Sequence, residues 1–127
     1  MKMVLAALTI LISSQSHAHG EDKLGPHGGL ISMPGAFHVE LLADSPNLLK
    51  VYLLDVEWKN PIVKNSSVKV FHGANAAKCI KKEDYFVCRF PKEINLFAPG
   101  ILSVESYREN SKGKNLEYPL PLKIIKN

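Results

Sequence analysis

The chain has 127 residues and a mass of 14.1 kDa, which is the size of one modest domain and too small for a two-domain enzyme. Apolar residues make up 46% of the chain and charged residues 22%, so the composition is that of a globular protein and not of a disordered one. The formal net charge is +4 and the basic residues form no long run, which argues against a nucleic-acid-binding surface.

The first 18 residues have the organisation of a secretory signal peptide. Lys2 supplies the positive end, an apolar stretch covers residues 3–12, and the small residues Ser16 and Ala18 precede a cleavage point after Ala18. The apolar stretch is too short to span a bilayer, and no second stretch of this kind follows it. We therefore expect a periplasmic or secreted protein that is not inserted in a membrane once residues 1–18 are removed.

Cleavage after Ala18 makes His19 the mature N-terminus. Its free amine and its imidazole can then chelate one metal ion together. Cleavage after Ser16 would instead leave His17, Ala18 and His19, a sequence that can wrap a square-planar Cu(II) or Ni(II) ion. The alternative is a frayed, solvated tail, which is the common state of chain termini.

Residues 19–35 form a segment rich in histidine and glycine, ahead of a domain predicted over residues 36–127. Glycines around His27 let the backbone bend sharply there. His38 and Glu40 are two residues apart on a predicted strand, so they project from one face, which we expect to be exposed. Each of these residues also has a simpler structural explanation. His27 could form a hydrogen bond within its turn, His38 and Glu40 could be a surface pair, and Met33 of the same segment could pack in the core.

Taken together, these side chains have the chemistry of a metal site. Imidazole nitrogens are common ligands of copper, zinc and nickel, a thioether favours Cu(I), and a carboxylate suits Zn(II) or Cu(II). The sequence therefore predicts a site for a copper ion, with zinc and nickel as alternatives, in which three histidines are joined by Glu40 or Met33 as a fourth ligand. The candidate ligands are His19, His27, His38, Glu40 and Met33.

The remainder of the chain alternates short apolar runs with turn signals, which predicts strands and no amphipathic helix. Seven or eight such strands favour an all-β fold, an immunoglobulin-like β-sandwich, with a small open barrel as the alternative. One run, 48–58, is apolar at both parities, as in a central strand covered on both faces. Pro119 and Pro121 share one parity of the last strand, which indicates a sheet edge. The expected strands are 36–44, 48–58, 66–72, 101–109 and 116–125, with a hairpin at 79–88 and an irregular crossover at 91–100.

Cys79 and Cys88 are the only cysteines, and an exported chain with two cysteines is expected to form a disulfide. If Glu83 and Asp84 form the turn of a hairpin, Cys79 lies opposite Cys88 at a non-hydrogen-bonded pair, where side chains approach most closely. A redox-active or copper-binding dithiol is the alternative. The spacing lacks the Cys-x-x-Cys pattern of oxidoreductases, so a structural disulfide is favoured.

Three short motifs carry a resemblance to known proteins. Pro26-His27-Gly28-Gly29, His38-Val39-Glu40-Leu41 and Val51-Tyr52-Leu53-Leu54-Asp55 resemble the "PHGG … HxEL … VYLxD" pattern of small exported proteins and modules associated with periplasmic heavy-metal (copper) handling and efflux adaptors. The resemblance implies metal handling by His27, His38 and Glu40. An N-terminal His19 also resembles the N-terminal histidine of periplasmic copper-resistance β-sandwiches and of copper monooxygenases, which chelates copper through its amine and its imidazole. The monooxygenases are larger than this chain, so no activity is carried over.

These observations predict a non-catalytic periplasmic metal-binding protein that acts in metal buffering, delivery or efflux, alone or with a periplasmic efflux component or another envelope protein. The alternative is an immunoglobulin-like module that binds an envelope protein through a sheet face or edge and holds no metal. An enzyme is disfavoured, because the chain contains no Gly-x-Ser-x-Gly, no His-Glu-x-x-His and no phosphate-binding loop.

Overall fold

The computed structural model describes residues 24–122, and within that range the chain is all-β. No helix in the described range is long and apolar enough to cross a membrane. The strands, in chain order, are β1 (Leu30–Ser32), β2 (His38–Ser45), β3 (Leu48–Leu54), β4 (Ser67–His72), β5 (Asn75–Ala76), β6 (Lys78–Lys81), β7 (Phe86–Arg89), β8 (Gly100–Arg108), β9 (Ser111–Lys112) and β10 (Leu116–Leu120).

The strands form two antiparallel sheets. The first has the order β1-β2-β3-β7-β6, and the second has the order β10-β8-β4-β5 with β9 paired to β8. The all-β prediction is confirmed. The strand count of seven or eight was too low for this part of the chain, because β1, β5 and β9 are only two or three residues long and give no periodic signal.

One hydrophobic core lies between the sheets and is built from both of them. The first sheet contributes Leu49, Val51 and Leu53 of β3, and the second contributes Leu102 and Val104 of β8, all of them almost fully buried. Burial of large aliphatic side chains of this kind is the main source of stability in a domain of this size.

Strand β3 is covered on both faces, as its apolar residues at both parities predict. It lies at the centre of the first sheet, and its outward residues Tyr52 and Leu54 form a second small apolar cluster with Ile31. The strand ends at Leu54 and not at Trp58, because the Asp55 carboxylate accepts hydrogen bonds from the backbone that follows and holds it in a turn.

The disulfide between Cys79 and Cys88 is confirmed, in the predicted hairpin register. Cys79 pairs with Cys88 and Ile80 with Val87, and the Lys82 amide donates to the Tyr85 carbonyl at 2.8 Å beside the turn. The bridge therefore links the neighbouring strands β6 and β7 within one sheet.

The position of the last strand at a sheet edge is also confirmed, since among residues 24–122 β10 is terminal in the second sheet and pairs only with β8. Tyr118 and Leu120 face the core, as their shared parity predicts. The regular strand ends at Leu120. Positions 123–125 of the predicted strand lie outside the described range, and so does the predicted signal peptide at 1–18.

Strand β1 lies inside the segment that the sequence places ahead of the domain. It pairs with β2 in the register Ile31 to Glu40 and Ser32 to Val39. The Ser32 hydroxyl is also hydrogen-bonded to the Tyr118 hydroxyl of the second sheet. The described part of the glycine-rich segment is thus an edge of the first sheet.

Candidate functional site

The outer face of β2 is buried, and the expectation that it is exposed was wrong. His38 retains 4% of its accessible surface and Glu40 retains 0%. The loop at 25–29 closes on itself through a hydrogen bond from the Gly25 amide to the Gly29 carbonyl at 2.7 Å, and it lies against this face. Alternation along β2 placed both side chains on one face correctly, but it could not show that another segment covers that face.

The Glu40 carboxylate holds this loop in place. Its Oε2 accepts hydrogen bonds from the amides of His27 and Gly29, both at 2.8 Å. Its Oε1 lies 2.7 Å from Nδ1 of His27, which completes an ion pair when the imidazole is protonated. A buried carboxylate is costly unless its oxygens are hydrogen-bonded, and here both of them are. Both carboxylate oxygens of Glu40 are therefore used in hydrogen bonds to the loop.

Two glycines of the loop allow the close approach to Glu40. A Cβ atom on Gly29 would lie 2.5 Å from the Leu41 carbonyl oxygen, and one on Gly25 would lie 2.5 Å from Oε2 of Glu40. Such contacts are far inside van der Waals distance, so neither position accepts a side chain without a shift of the loop. The glycines around His27 thus have a packing explanation.

The His27 ring lies at the surface of this assembly, between the buried carboxylate and an aromatic pair. It stacks on Tyr52 with a centroid distance of 3.7 Å and an interplanar angle of 3°, and Tyr52 in turn contacts Tyr85 at 5.1 Å. The His27 side chain keeps 32% of its surface exposed. Because a carboxylate accepts hydrogen bonds, Nδ1 carries the proton, and the neutral ring has its lone pair on Nε2.

The Tyr52 ring is buried beneath the His27 ring. Burial, with a further contribution from the Asp84 charge, raises the pKa of the Tyr52 phenol above its ordinary value. Tyr52 is the cross-strand partner of Glu40 in the register of β2 and β3, and the Glu40 charge contributes to the raised pKa of the phenol. The ring therefore remains a neutral stacking surface for His27 at physiological pH.

His38 is held by different partners. Its Nδ1 donates to the Asp55 carbonyl at 3.2 Å, and its ring forms a T-shaped pair with Trp58, with centroids 5.9 Å apart. A carbonyl can only accept, so this ring also carries its proton on Nδ1. The two imidazoles share a tautomer but share no hydrogen-bond partner.

The turn after β3 is organised by the Asp55 side chain. Its oxygens accept from the Glu57 and Lys59 amides at 2.9 Å and from Nδ2 of Asn60 at 2.8 Å. The hydrogen bond from the Lys59 backbone is the main cause that lowers the pKa of the Asp55 carboxyl. Trp58 and Asn60 have left-handed backbone angles, with φ of 65° and 52°. The turn thus fixes Trp58 beside His38.

The structure brings together two of the five predicted ligands, His27 and Glu40. His38 lies two residues from Glu40 on the same face of β2, Met33 follows β1 with 48% of its surface exposed, and His19 is outside the described range. Among residues 24–122, no group of three or more His, Cys, Asp or Glu side chains is arranged to hold a metal ion. Metal binding by these five residues stays a prediction.

Sequence reasoning gave no role to the aromatic and turn residues that surround the two histidines, although Tyr52 and Asp55 belong to the third quoted motif. These residues are Tyr52, Tyr85, Trp58 and Asp55. One signal for them was present. The outward parity of β3 carries Tyr52 and Leu54, and apolar side chains on an outward face indicate that something covers it. The covering loop contains His27.

The chain was compared with models of known protein families, with characterised proteins and with solved structures, and none of the three comparisons gives a match.

Proposed function

We propose that the protein is a non-catalytic periplasmic metal-binding protein, with copper as its ion, that acts in metal buffering, delivery or efflux. The observation that carries this proposal is the hydrogen bond between the buried Glu40 carboxylate and Nδ1 of His27. In metal sites a histidine ligand commonly donates its second ring N–H to a carboxylate or a carbonyl, which fixes the ring and raises its basicity.

His27 has the features of one such ligand. Its ring is held on one side by Glu40 and on one face by Tyr52, and it is one-third exposed. A ring fixed in this way loses little rotational entropy when its Nε2 binds an ion. We assign Glu40 a positioning role toward His27, in place of the direct ligation that the sequence predicts.

The remaining ligands would come from the N-terminal side of His27. His19 is close enough in sequence to reach an ion on Nε2 of His27, since an extended chain spans about 3.3–3.6 Å per residue. An N-terminal amine and imidazole at His19 would add two nitrogen ligands, a set that suits Cu(II), and nickel or zinc less selectively. His38 is a further candidate, since its Nδ1 is bound in the same way to a carbonyl.

A copper titration of the mature protein tests this proposal. We expect Cu(II) to bind in the micromolar range or tighter, and binding to weaken strongly in His27→Ala and in His19→Ala. The matched control is His72→Ala, which changes a histidine of β4 on the other sheet. Equal binding by all of these variants, or no binding of Cu(II) or of Cu(I) under reducing conditions, would contradict the proposal.

The periplasmic or secreted location is part of the same proposal. The disulfide between Cys79 and Cys88 is compatible with an oxidising compartment. N-terminal sequencing of the exported protein tests both the location and the cleavage point. A mature chain that begins at His19 is the expected result.

We also propose that the two sheets form an immunoglobulin-like β-sandwich. Numbered in chain order, the seven strands β2, β3, β4, β6, β7, β8 and β10 give the sheet orders first-second-fifth-fourth and seventh-sixth-third. This is the strand order of a constant-type immunoglobulin domain. The disulfide differs from the immunoglobulin arrangement, because it joins neighbouring strands of one sheet. An experimental structure with a different strand order would overturn this assignment.

The alternative function is a protein-interaction module that holds no metal. The observation that favours it is the open edge of β6, the terminal strand of the first sheet, which carries exposed lysines. A copper titration that detects no binding would contradict the metal-binding function and not this alternative.

A further inference from the structure

The hairpin of β6 and β7 forms a shallow basic groove on the outer surface of the first sheet. The groove has a volume of about 350 Å³ and is lined by Lys78, Ile80, Lys82, Val87 and Arg89. It therefore combines three cationic side chains with an apolar floor, and it lies on the same hairpin as the disulfide.

The groove has an excess of positive charge. Among the described residues, no carboxylate lies within ion-pair distance of Lys78, Lys82 or Arg89, and the ion pairs within residues 24–122 lie elsewhere. The nearest acids in sequence, Glu83 and Asp84, lie at the hairpin turn and not among the residues that line the groove. A cationic concavity without internal partners is complementary to an anionic ligand.

The backbone along the groove is open on one side. The Lys82 amide bonds to the Tyr85 carbonyl, so by alternation the Ile80–Val87 and Lys78–Arg89 pairs are also hydrogen-bonded. The N–H and C=O groups of Cys79 and Lys81 consequently point away from β7. Within the described range of 24–122, strand β6 is terminal in its sheet, so these groups can pair with one additional strand.

Side-chain spacing on β6 matches that of an extended ligand. Lys78, Ile80 and Lys82 alternate on one face, so they repeat at the two-residue interval of a strand. A strand with the pattern acidic-x-apolar-x-acidic, paired to β6, would set a carboxylate beside each lysine and an apolar residue beside Ile80. A second copy of β6 would instead set lysine against lysine, which disfavours self-association at this edge.

We propose that β6 binds an extended acidic segment of another protein by strand addition, with Lys78 and Lys82 as the residues that select for negative charge. This proposal deepens the alternative function given above and does not depend on metal binding. Pairing supplies affinity through the Cys79 and Lys81 backbone, and the cationic side chains supply specificity.

The test is an NMR titration of the ¹⁵N-labelled mature protein with a capped peptide of the pattern Glu-Thr-Val-Thr-Glu. We expect saturable shifts confined to β6, β7 and their turn. The same peptide with Lys in place of Glu should not bind. The double variant Lys78→Glu/Lys82→Glu should bind the acidic peptide at least about tenfold more weakly and should gain binding to the lysine peptide.

A second pair of variants tests the backbone pairing. Lys81→Pro removes an N–H that points away from β7, a position where a strand edge accepts proline, whereas Lys81→Gln removes the same charge and keeps the N–H. Weaker peptide binding by Lys81→Pro than by Lys81→Gln is the expected result. Equal binding by these two variants, or equal binding of the acidic and the lysine peptides, overturns the proposal. So does binding to phosphatidylglycerol vesicles with no binding of the acidic peptide, since that would identify an anionic membrane as the ligand.

Discussion

Glu40 is the residue on which the local structure around His27 depends. Its carboxylate is fully buried and accepts three hydrogen bonds from the loop at 25–29. Removal of a buried acceptor leaves buried donors without partners, which is more costly than replacement by a similar polar group. The Glu40 side chain therefore stabilises the loop and, through it, the position of the His27 ring.

We expect Glu40→Ala to lower the free energy of unfolding by about 3 kcal/mol, because the buried amide of Gly29 and the His27 ring lose their acceptor. Glu40→Gln should cost less, since its amide oxygen still accepts a hydrogen bond from the loop. Urea unfolding of the two variants beside the wild type measures the difference. Losses for Glu40→Ala and Glu40→Gln that agree within about 0.5 kcal/mol would show that the hydrogen bonds are unimportant.

Ionisation of the Tyr118 phenol is expected to lower the free energy of unfolding at alkaline pH. Burial raises the pKa of the Tyr118 phenol from 10.0 to about 12. The folded state holds this proton more tightly than the unfolded state, so the stabilisation is complete below pH 10 and is lost as the pH rises towards 12. Relative to Tyr118→Phe, the wild type should lose on the order of 2–3 kcal/mol across this range. Denaturant unfolding at several alkaline pH values provides the comparison, and parallel pH profiles for the two proteins would contradict it.

At the scale of elements, the disulfide hairpin joins two strands that already pair in register. A bridge over a short loop restricts the unfolded chain less than a bridge over a long one. We expect the double variant Cys79→Ser/Cys88→Ser to fold and to lose roughly 2–3 kcal/mol of stability. Reduction of the wild type with dithiothreitol is the matched control and should give a similar loss. An unfolded double variant would assign the disulfide a larger role than its loop length gives it.

The turn after β3 should open at acidic pH. The carboxyl of Asp55 has an ordinary pKa of 3.8, and the hydrogen bond from the Lys59 amide is the main cause that lowers it in the folded protein. The stabilisation of the turn is therefore present above pH 3.8 and is lost as the pH falls through the lower folded value. Fluorescence of Trp58, the single tryptophan, reports the transition. Asp55→Asn keeps a side-chain acceptor but cannot titrate there, so persistence of the same acid transition in this variant would assign it to another group.

The strands could be predicted where local patterns determine them. The register of the Cys79–Cys88 hairpin and the edge position of the strand that contains Pro119 both agree with the prediction. Each of these features depends on a short stretch of sequence. Strand β3 was predicted too long, because apolar residues continue past the point where the ladder ends. The β10 ladder ends at Leu120, and positions 123–125 of the predicted strand lie outside the described residues. At the end of β3 the Asp55 carboxylate accepts hydrogen bonds from the backbone amides that follow it. Hydrophobic periodicity does not show such side-chain hydrogen bonds.

At the scale of the whole molecule, the candidate site was only partly predictable. The sequence pointed to His27, His38 and Glu40, and the structure places all three on or against the outer face of β2. Burial of that face depends on a loop that approaches from outside the strand, with Gly25 and Gly29 packed against Glu40 and Leu41. This is a tertiary contact, and no local pattern shows that Glu40, expected to be exposed, is buried and accepts hydrogen bonds from the loop.

Metal binding through Nε2 of His27, with Nδ1 retained by Glu40, is the central claim, and NMR of ¹⁵N-histidine-labelled mature protein tests it most directly. On titration with Zn(II), a diamagnetic ion that also binds imidazole, the Nε2 resonance of His27 should shift by saturable binding while Nδ1 remains protonated. The same titration of Glu40→Gln should show weaker binding, by about 10–100-fold. An Nε2 resonance of His27 that does not respond to Zn(II), or coordination through Nδ1 with loss of the Glu40 hydrogen bond, would contradict the account.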